Sequence, residues 1–176
     1  MQNIEIKTPL PDRRATEARI RELGAELTWE RRQKDTFFEV PAGWLKLREE
    51  DGAEPVLIAY QRSTYDSGPR ASNYEIQALQ DVEGWTRLLT RVLPAGGVVE
   101  KERTLWLWRH TRIHLDRVTD LGDFLELETV VKDITPAEAE VESREVIEAL
   151  HLDPARFVGV PYLELLHPPR SSAAGG

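Results

Sequence analysis

Charged residues recur along this chain at two-residue spacing: Glu5 with Lys7, Lys46 with Arg48, Lys101 with Arg103, Glu126 with Glu128, and the run Arg112, His114, Asp116. Ile4 and Ile6, Leu45 and Leu47, Ile113 and Leu115, and Leu125 and Leu127 stand between or beside them. Successive side chains on a strand point to opposite faces, so each run puts its charges on one face and its apolar residues on the other. Two kinds of chemistry are on offer. Lys7, Lys46, Arg48, Arg62, Lys101, Arg103 and Arg112 could hold the oxygens of a polyanion, and Glu5, Asp116, Glu126 and Glu128 would form a hard oxygen cluster suited to Mg²⁺ or Mn²⁺. Cations on phosphate oxygens, and carboxylates on a bridging metal, are what phosphoryl transfer requires.

Positioning these faces requires strands, and alternation leaves two packings open. The charges can meet water while the apolar faces share one core. Alternatively the strands close into a barrel with the charges inside and helices over the apolar exterior. A basic lumen cannot be buried unpaired, so the second packing calls for a polyanion to fill it.

The remaining elements read as follows. Residues 3–9 form a strand ended by Pro9 and Pro11, and Asp12 to about Trp29 form an amphipathic helix interrupted near Gly24. Two strands joined at Pro41-Ala42-Gly43 follow, then Val56–Arg62, whose Ile58, Tyr60 and Arg62 share a face. The polar stretch Ser63–Ala71 reads as a mobile flap, and Asn73, Glu75 and Gln77 share a face of the next strand, with Glu75 a structural counter-ion to the arginines. A second helix over Asp81–Leu93 should bury Trp85, Leu88, Leu89 and Val92. Asp120 to Asp123 is the turn of the hairpin 111–128, and Thr135-Pro136-Ala137-Glu138 is a capping box opening a third helix. A last helix spans Asp153 to Leu166. Trp106 belongs to the core beneath a helix, His114 pairs with a neighbouring carboxylate, and Arg13, Arg14 and Glu138–Glu148 are solvated helix faces.

With 176 residues the chain suits one domain, taken as 1–167 with a disordered tail at 168–176. Cysteine is absent, which rules out disulfides and thiolate chemistry and fits a cytoplasmic location. The N-terminal residues carry charge where a signal peptide needs an apolar core, and no run approaches membrane-spanning length. A net charge of −8 argues against a general nucleic-acid binder. The oligomeric state is open, a homodimer being one option.

The order of these pieces resembles the CYTH superfamily of triphosphate tunnel metalloenzymes, which takes in class IV adenylyl cyclases, thiamine triphosphatases and inorganic triphosphatases. The resemblance rests on IEIK at 4–7, KDTFF at 34–38, GWLKLRE at 43–49, LIAYQR at 57–62, KERTLW at 101–106, TRIHLD at 111–116, LGDFLELE at 121–128 and PYLELL at 161–166. It implies an α+β fold with an eight-stranded antiparallel tunnel, holding a small-molecule triphosphate with Mg²⁺ or Mn²⁺. It makes Glu5, Glu126 and Glu128 metal ligands with Asp116 a further candidate, and Lys7, Lys46, Arg48, Arg62, Lys101, Arg103 and Arg112 triphosphate contacts, of which Lys7, Arg48 and Arg62 are the catalytic candidates. Two positions depart from the family pattern: Asn3 stands where it has a glutamate, and Phe37 where some triphosphatases have a tyrosine that helps activate water. The implied activity is hydrolysis or cyclisation of ATP; a module that binds the nucleotide or polyphosphate without turnover is the alternative.

Overall fold

The computed structural model describes residues 2–62 and 70–168, and the side chains of Gln2, Gln61, Arg62 and residues 70–73 lie outside that description. The stretch read as a flap falls mainly on 63–69, and the tail on 168–176; both lie outside it but for their first or last residues.

Eight antiparallel strands close into a barrel: β1 (Gln2–Pro9), β2 (Glu26–Phe38), β3 (Trp44–Glu50), β4 (Val56–Arg62), β5 (Arg70–Ala78), β6 (Ala95–Trp108), β7 (Thr111–Val118) and β8 (Gly122–Val130). Around the wall the order is β1-β5-β4-β3-β2-β6-β7-β8, with β8 paired back to β1. The register places Lys46 opposite Phe37, Arg48 opposite Asp35, Arg103 opposite Asp116, His114 opposite Glu126, and Glu5 opposite Glu128. One face therefore collects the charges, and that face is the lumen.

Most of the outward apolar side chains are covered, Leu27 and Val98 being exceptions. Ile6, Trp106, Ile113, Leu115, Leu125 and Leu127 pack against Ile20 of α1 (Arg13–Glu22), Val146 of α3 (Pro136–Ala149) and Leu150, which caps α3 at its C-terminus. Ile20, Ile113, Leu115, Leu125 and Leu127 are fully buried, and each such side chain contributes roughly 1.5–3 kcal/mol of transfer free energy. The expected capping box is present: the Thr135 hydroxyl accepts from the Glu138 N–H while the Glu138 carboxylate accepts from the Thr135 N–H. Two surface expectations do not hold. Glu142 is 7% exposed because it accepts from the His110 N–H and the Thr111 hydroxyl, tying α3 to the β6–β7 turn. Arg13 reaches Thr104 with one guanidinium nitrogen and Glu17 with another.

Three helices also differ from expectation, two in their bounds and one in what it buries. α1 ends at Glu22, not near Trp29, since Gly24 takes φ +81° and the chain turns into β2 at Glu26. In α2 (Val82–Val92) the N-cap is Asp81, but of the four residues expected to be buried only Leu89 is; Trp85, Leu88 and Val92 are 38, 52 and 64% exposed. The helix meets the barrel through Val82, Leu89 and Leu93 against Phe38, Leu47 and Leu79, which uses one half of its apolar stripe. The last helix is broken in two: a 3₁₀ turn at Pro154–Arg156, then α4 at Tyr162–Leu166. Between them the Val158 N–H bonds to the Lys7 carbonyl, which pulls the segment onto β1, and Pro161 starts α4 anew.

That segment stops one end of the barrel. Tyr162 and Leu163 pack with Phe37, Val99, Val118 and Phe124 at the end carrying the β2–β3 and β7–β8 turns. Gly97 allows the fit: it has φ +125°, and a Cβ there would lie 2.7 Å from the Leu163 Cδ1. No helix among the described residues is long and apolar enough to cross a membrane.

Candidate functional site

Inside the barrel lies a cavity of about 430 Å³ lined by Glu5, Lys7, Lys46, Arg48, Lys101, Arg103, Arg112, Glu126 and Glu128, among others. Six of the seven cations expected to act together thus share one space. Arg62 ends β4, and its side chain lies outside the described residues. Glu75 pairs with Ala59 on the outer face and is exposed, so it is no counter-ion to the lumen arginines whose side chains are described. The lumen side of β5 carries Tyr74 and Ile76 instead.

The charges are arranged in knots, each a carboxylate gripped by two or more donors. Asp35, 3% exposed, accepts from Lys46 Nζ at 2.8 Å and from Arg48 Nε and Nη2, both at 2.7 Å. Asp116 is fully buried and accepts from Arg103 Nε at 2.6 Å and Nη2 at 2.5 Å, Lys101 Nζ at 3.1 Å and the Tyr162 hydroxyl at 3.0 Å. Glu126 is bridged to Lys7 Nζ at 3.3 Å and to Arg103 Nη2. Glu128 accepts from Asn3 Nδ2 at 2.6 Å and Arg112 Nη1 at 3.1 Å, with His114 Nε2 3.4 Å away. Planar guanidinium forks suit these bidentate grips as they suit phosphate.

Burial and the neighbouring charges shape the titration of these groups. Burial alone would raise the Asp35 carboxyl, but Arg48 and Lys46 outweigh it and hold the group well below the ordinary range. Asp116 and Glu126 are lowered in the same way against burial, Asp116 by Arg103 and Lys101 and Glu126 by Lys7 and Arg103. For His114, burial and then Arg103 lower the imidazole, so it is neutral at pH 7. Tyr162 is raised well above its usual value by burial, Glu126 and Asp116, and stays a donor.

Lys46 stands apart. Burial lowers its ammonium most, Arg48 adds to the effect, and Asp35 restores part of it, which leaves the group at about 7. Its charge is present below that pH and fades above it, so the lumen becomes less basic as pH rises through 7. An anion beside Lys46 would restore the proton. Binding of inorganic triphosphate is therefore expected to take up a proton near neutrality and to weaken as pH rises from about 6 to about 9. Calorimetric titrations in two buffers of different ionisation enthalpy measure the uptake, and a Lys46→Met variant should remove it. Equal heats in the two buffers for the parent protein would count against the assignment.

The oxygen cluster expected of Glu5, Asp116, Glu126 and Glu128 is not preassembled. Among the described residues no three His, Asp or Glu side chains group closely enough to hold an ion, and both oxygens of Asp116 are committed to cations and to Tyr162. The donors nonetheless fit a hard divalent cation. Glu5 and Glu128 face each other across β1 and β8, with Glu126 next along the strand. Beside them Asn3 is fully buried and spends its amide donor on Glu128, while its Oδ1 has no hydrogen-bond partner. A neutral oxygen thus stands where the family has a carboxylate.

Two site residues escaped the sequence reading. Asp35 was visible within KDTFF but had no assigned role; its signal was its place opposite the Lys46–Arg48 pair. Tyr162, within PYLELL, lies beside the cations: Lys7 Nζ is 4.1 Å and Lys101 Nζ 5.0 Å from its ring centre. Only the return of the C-terminal segment into the barrel brings it there.

The family model of the CYTH domain matches residues 1–159, and the chain belongs to that family. A protein of Methanocaldococcus jannaschii named "Putative adenylate cyclase" is 23% identical over 175 residues, covering 94% of this chain and 98% of that one. Among solved structures, a protein of Pyrococcus horikoshii OT3 superposes with a TM-score of 0.83 at 24% identity over 93% of this chain and 98% of its own. A Hippeastrum protein, described as a "putative adenylyl cyclase" with a dominant triphosphatase activity, superposes with a TM-score of 0.64 at 15% identity, over 93% and 94%.

Proposed function

We propose that this chain is an enzyme that acts on a small-molecule triphosphate with Mg²⁺ or Mn²⁺ in the barrel lumen. One observation carries the reading: Lys7, Lys46, Arg48, Lys101, Arg103 and Arg112 line a single cavity, and each of the last five is ion-paired with a carboxylate whose place an anion could take. Membership of the CYTH family, with relatives named for cyclase and triphosphatase activity, supports it.

Lys46 and Arg48 on one wall, and Lys101 and Arg103 on the other, hold phosphate oxygens and offset the charge that develops as a phosphorus–oxygen bond breaks. Lys7 and Arg112 orient the two ends of the triphosphate, and the family resemblance adds Arg62 as a further contact. Glu5, Glu126 and Glu128, with the Oδ1 of Asn3, are the groups that would hold the metal. When bound, that ion polarises the phosphorus and offsets charge on the bridging oxygens.

A second reading has its own observation: Phe37 lacks the hydroxyl that some triphosphatases carry and Asn3 lacks a carboxylate, which is what a tunnel that binds without turnover would tolerate. The test is one assay with two readouts. Purified protein with Mg²⁺ or Mn²⁺ is given ATP, thiamine triphosphate and inorganic triphosphate, and product formation and melting temperature are followed. An enzyme yields cyclic AMP and pyrophosphate, or phosphate; a binding module shows the melting shift alone. Arg48→Ala should reduce the shift by most of its size under either reading. An undiminished shift would remove the triphosphate from the lumen altogether.

A further inference from the structure

Helix α2 carries more apolar surface than the barrel covers. Val82, Leu89 and Leu93 pack on Phe38, Leu47 and Leu79, but Trp85, Leu88 and Val92 are left in water. Their spacing puts these three on a stripe of their own, about a quarter-turn round the helix from the packed one. The helix's own ion pair, Glu83 with Arg87 at 3.7 Å, lies on the side away from it. On the barrel wall Val98 is 43% exposed and in register with Thr36, which is in register with Leu47 beneath the helix. A contiguous apolar stripe rimmed by charge marks an interaction surface.

The parts of the chain outside the described residues, 1, 63–69 and 169–176, hold Met1 and Tyr65 as their only large apolar side chains, and offer no matching stripe. The charges beside the stripe instead match the same helix running the other way. On the flank opposite the packed side, Asp81 and Gly84 stand at the N-terminal end and the exposed Arg91 at the C-terminal end. The Asp81 carboxylate accepts from the Gly84 N–H at 2.8 Å. A Cβ on Gly84 would lie 2.1 Å from Asp81 Oδ2, so the acidic group sits directly on that glycine. In an antiparallel pair of α2 helices, Trp85 of one copy faces Leu88 of the other, and Arg91 comes over Gly84, where it meets the Asp81 carboxylate and the Trp85 ring. The relation is its own inverse, so every contact forms twice and the pair closes.

We infer that a second copy of this chain docks on α2, in an antiparallel contact about a two-fold axis between Trp85 and Leu88, with Asp81 and Arg91 paired across it. With 11 residues, α2 spans about 16 Å. The contact therefore falls below the roughly 800 Å² per partner of a standard interface, and the dimer is a weak, reversible one.

The test uses the full chain. Sedimentation velocity from about 1 μM to about 1 mM should show a monomer–dimer equilibrium in the parent. Leu88→Asp should raise the dimer Kd by roughly tenfold or more, and Arg91→Glu, which sets like charges together, by roughly threefold to tenfold. Both side chains are exposed, so both variants should melt near the parent temperature. The chain has no cysteine, so a single Leu88→Cys treated with a short bis-maleimide should give a covalent dimer, and Thr90→Cys, on the side of α2 turned away from the stripe, should not. A parent that stays monomeric throughout, a dimer indifferent to Leu88→Asp, or equal cross-linking at both positions overturns the proposal. So does a monomer that co-sediments with phosphatidylcholine vesicles and loses that binding in Leu88→Asp, which would assign the stripe to a lipid surface.

Discussion

An Asp116→Ala variant is expected to lose about 3–5 kcal/mol of stability, the range for removing one partner of a buried ion pair, and to regain much of it when inorganic triphosphate is added. The carboxylate is fully buried with four donor atoms on it. Without it Lys101 and Arg103, each 6% exposed, are left with Glu126 as the carboxylate near both. An anion in the lumen would substitute for the missing charge, so the variant should gain more from triphosphate than the parent does. Urea melts at pH 7 with and without the ligand give both numbers. A loss under about 1 kcal/mol would mean that water already screens the knot. The acid limb offers a second check with a definite sign. The Asp116 pKa is lowered on folding, so its stabilisation is full above the unfolded carboxyl pKa, about 3.9, and disappears as pH falls through the lower folded value. The parent should therefore lose stability faster than the variant in acid.

The second large effect is on binding. Mn²⁺ and triphosphate are each expected to raise the other's affinity by about tenfold or more, within the 5–150-fold span usual for coupled sites. Glu126 is held by Lys7 and Arg103, and Glu128 by Arg112 and Asn3. A divalent ion arriving alone must displace those cations, and a triphosphate arriving alone must strip them from carboxylates that then lie buried and uncompensated. Arriving together, the two ligands exchange partners with the knots, and every charge keeps an opposite neighbour. Calorimetry of triphosphate with and without Mn²⁺, corrected for their association in free solution, measures the coupling. Glu128→Gln should leave metal-free triphosphate binding equal or stronger, by releasing Arg112, and should abolish the gain from Mn²⁺. A coupling unchanged in that variant would place the ion elsewhere.

Strand identity and which charges share a face are legible because alternation is a local property, and Lys46-Leu47-Arg48 or Glu126-Leu127-Glu128 has little freedom in which residues share a face, whereas the inward direction of that face rests on the family resemblance. What opposes what was not legible. The grip of Arg48 on Asp35 depends on β2–β3 register, and the seating of Tyr162 beside Asp116 joins residues 46 positions apart. β5 shows the limit best. Its Glu75 and Gln77 invited an inward reading by analogy with the other strands, yet they are exposed on the outer face, where apolar residues would need a covering helix, and Tyr74 and Ile76 turn inward. The overrun of α1 has a local cause that propensity alone could not weigh: Gly24 in a left-handed conformation ends the helix, and pairing of Leu27 and Trp29 with β6 claims the residues beyond. In α2 the stripe was read correctly as apolar, but how much of a stripe a barrel covers is decided by the barrel.

The pairing of β1 carries a consequence for how the molecule assembles. As the first strand made, it must find β5 on one side and β8 on the other, and its Asn3 bonds to a residue 125 positions later. Neither seam is local, and loop closure of that length must be paid for before its contacts form, which puts this fold among slow, high-contact-order folders. Until β8 has left the ribosome, Lys7 has no Glu126 to face. The closing of the barrel and the neutralising of its lumen are then one late event, and a nascent chain halted before residue 126 presents an open sheet with a basic face.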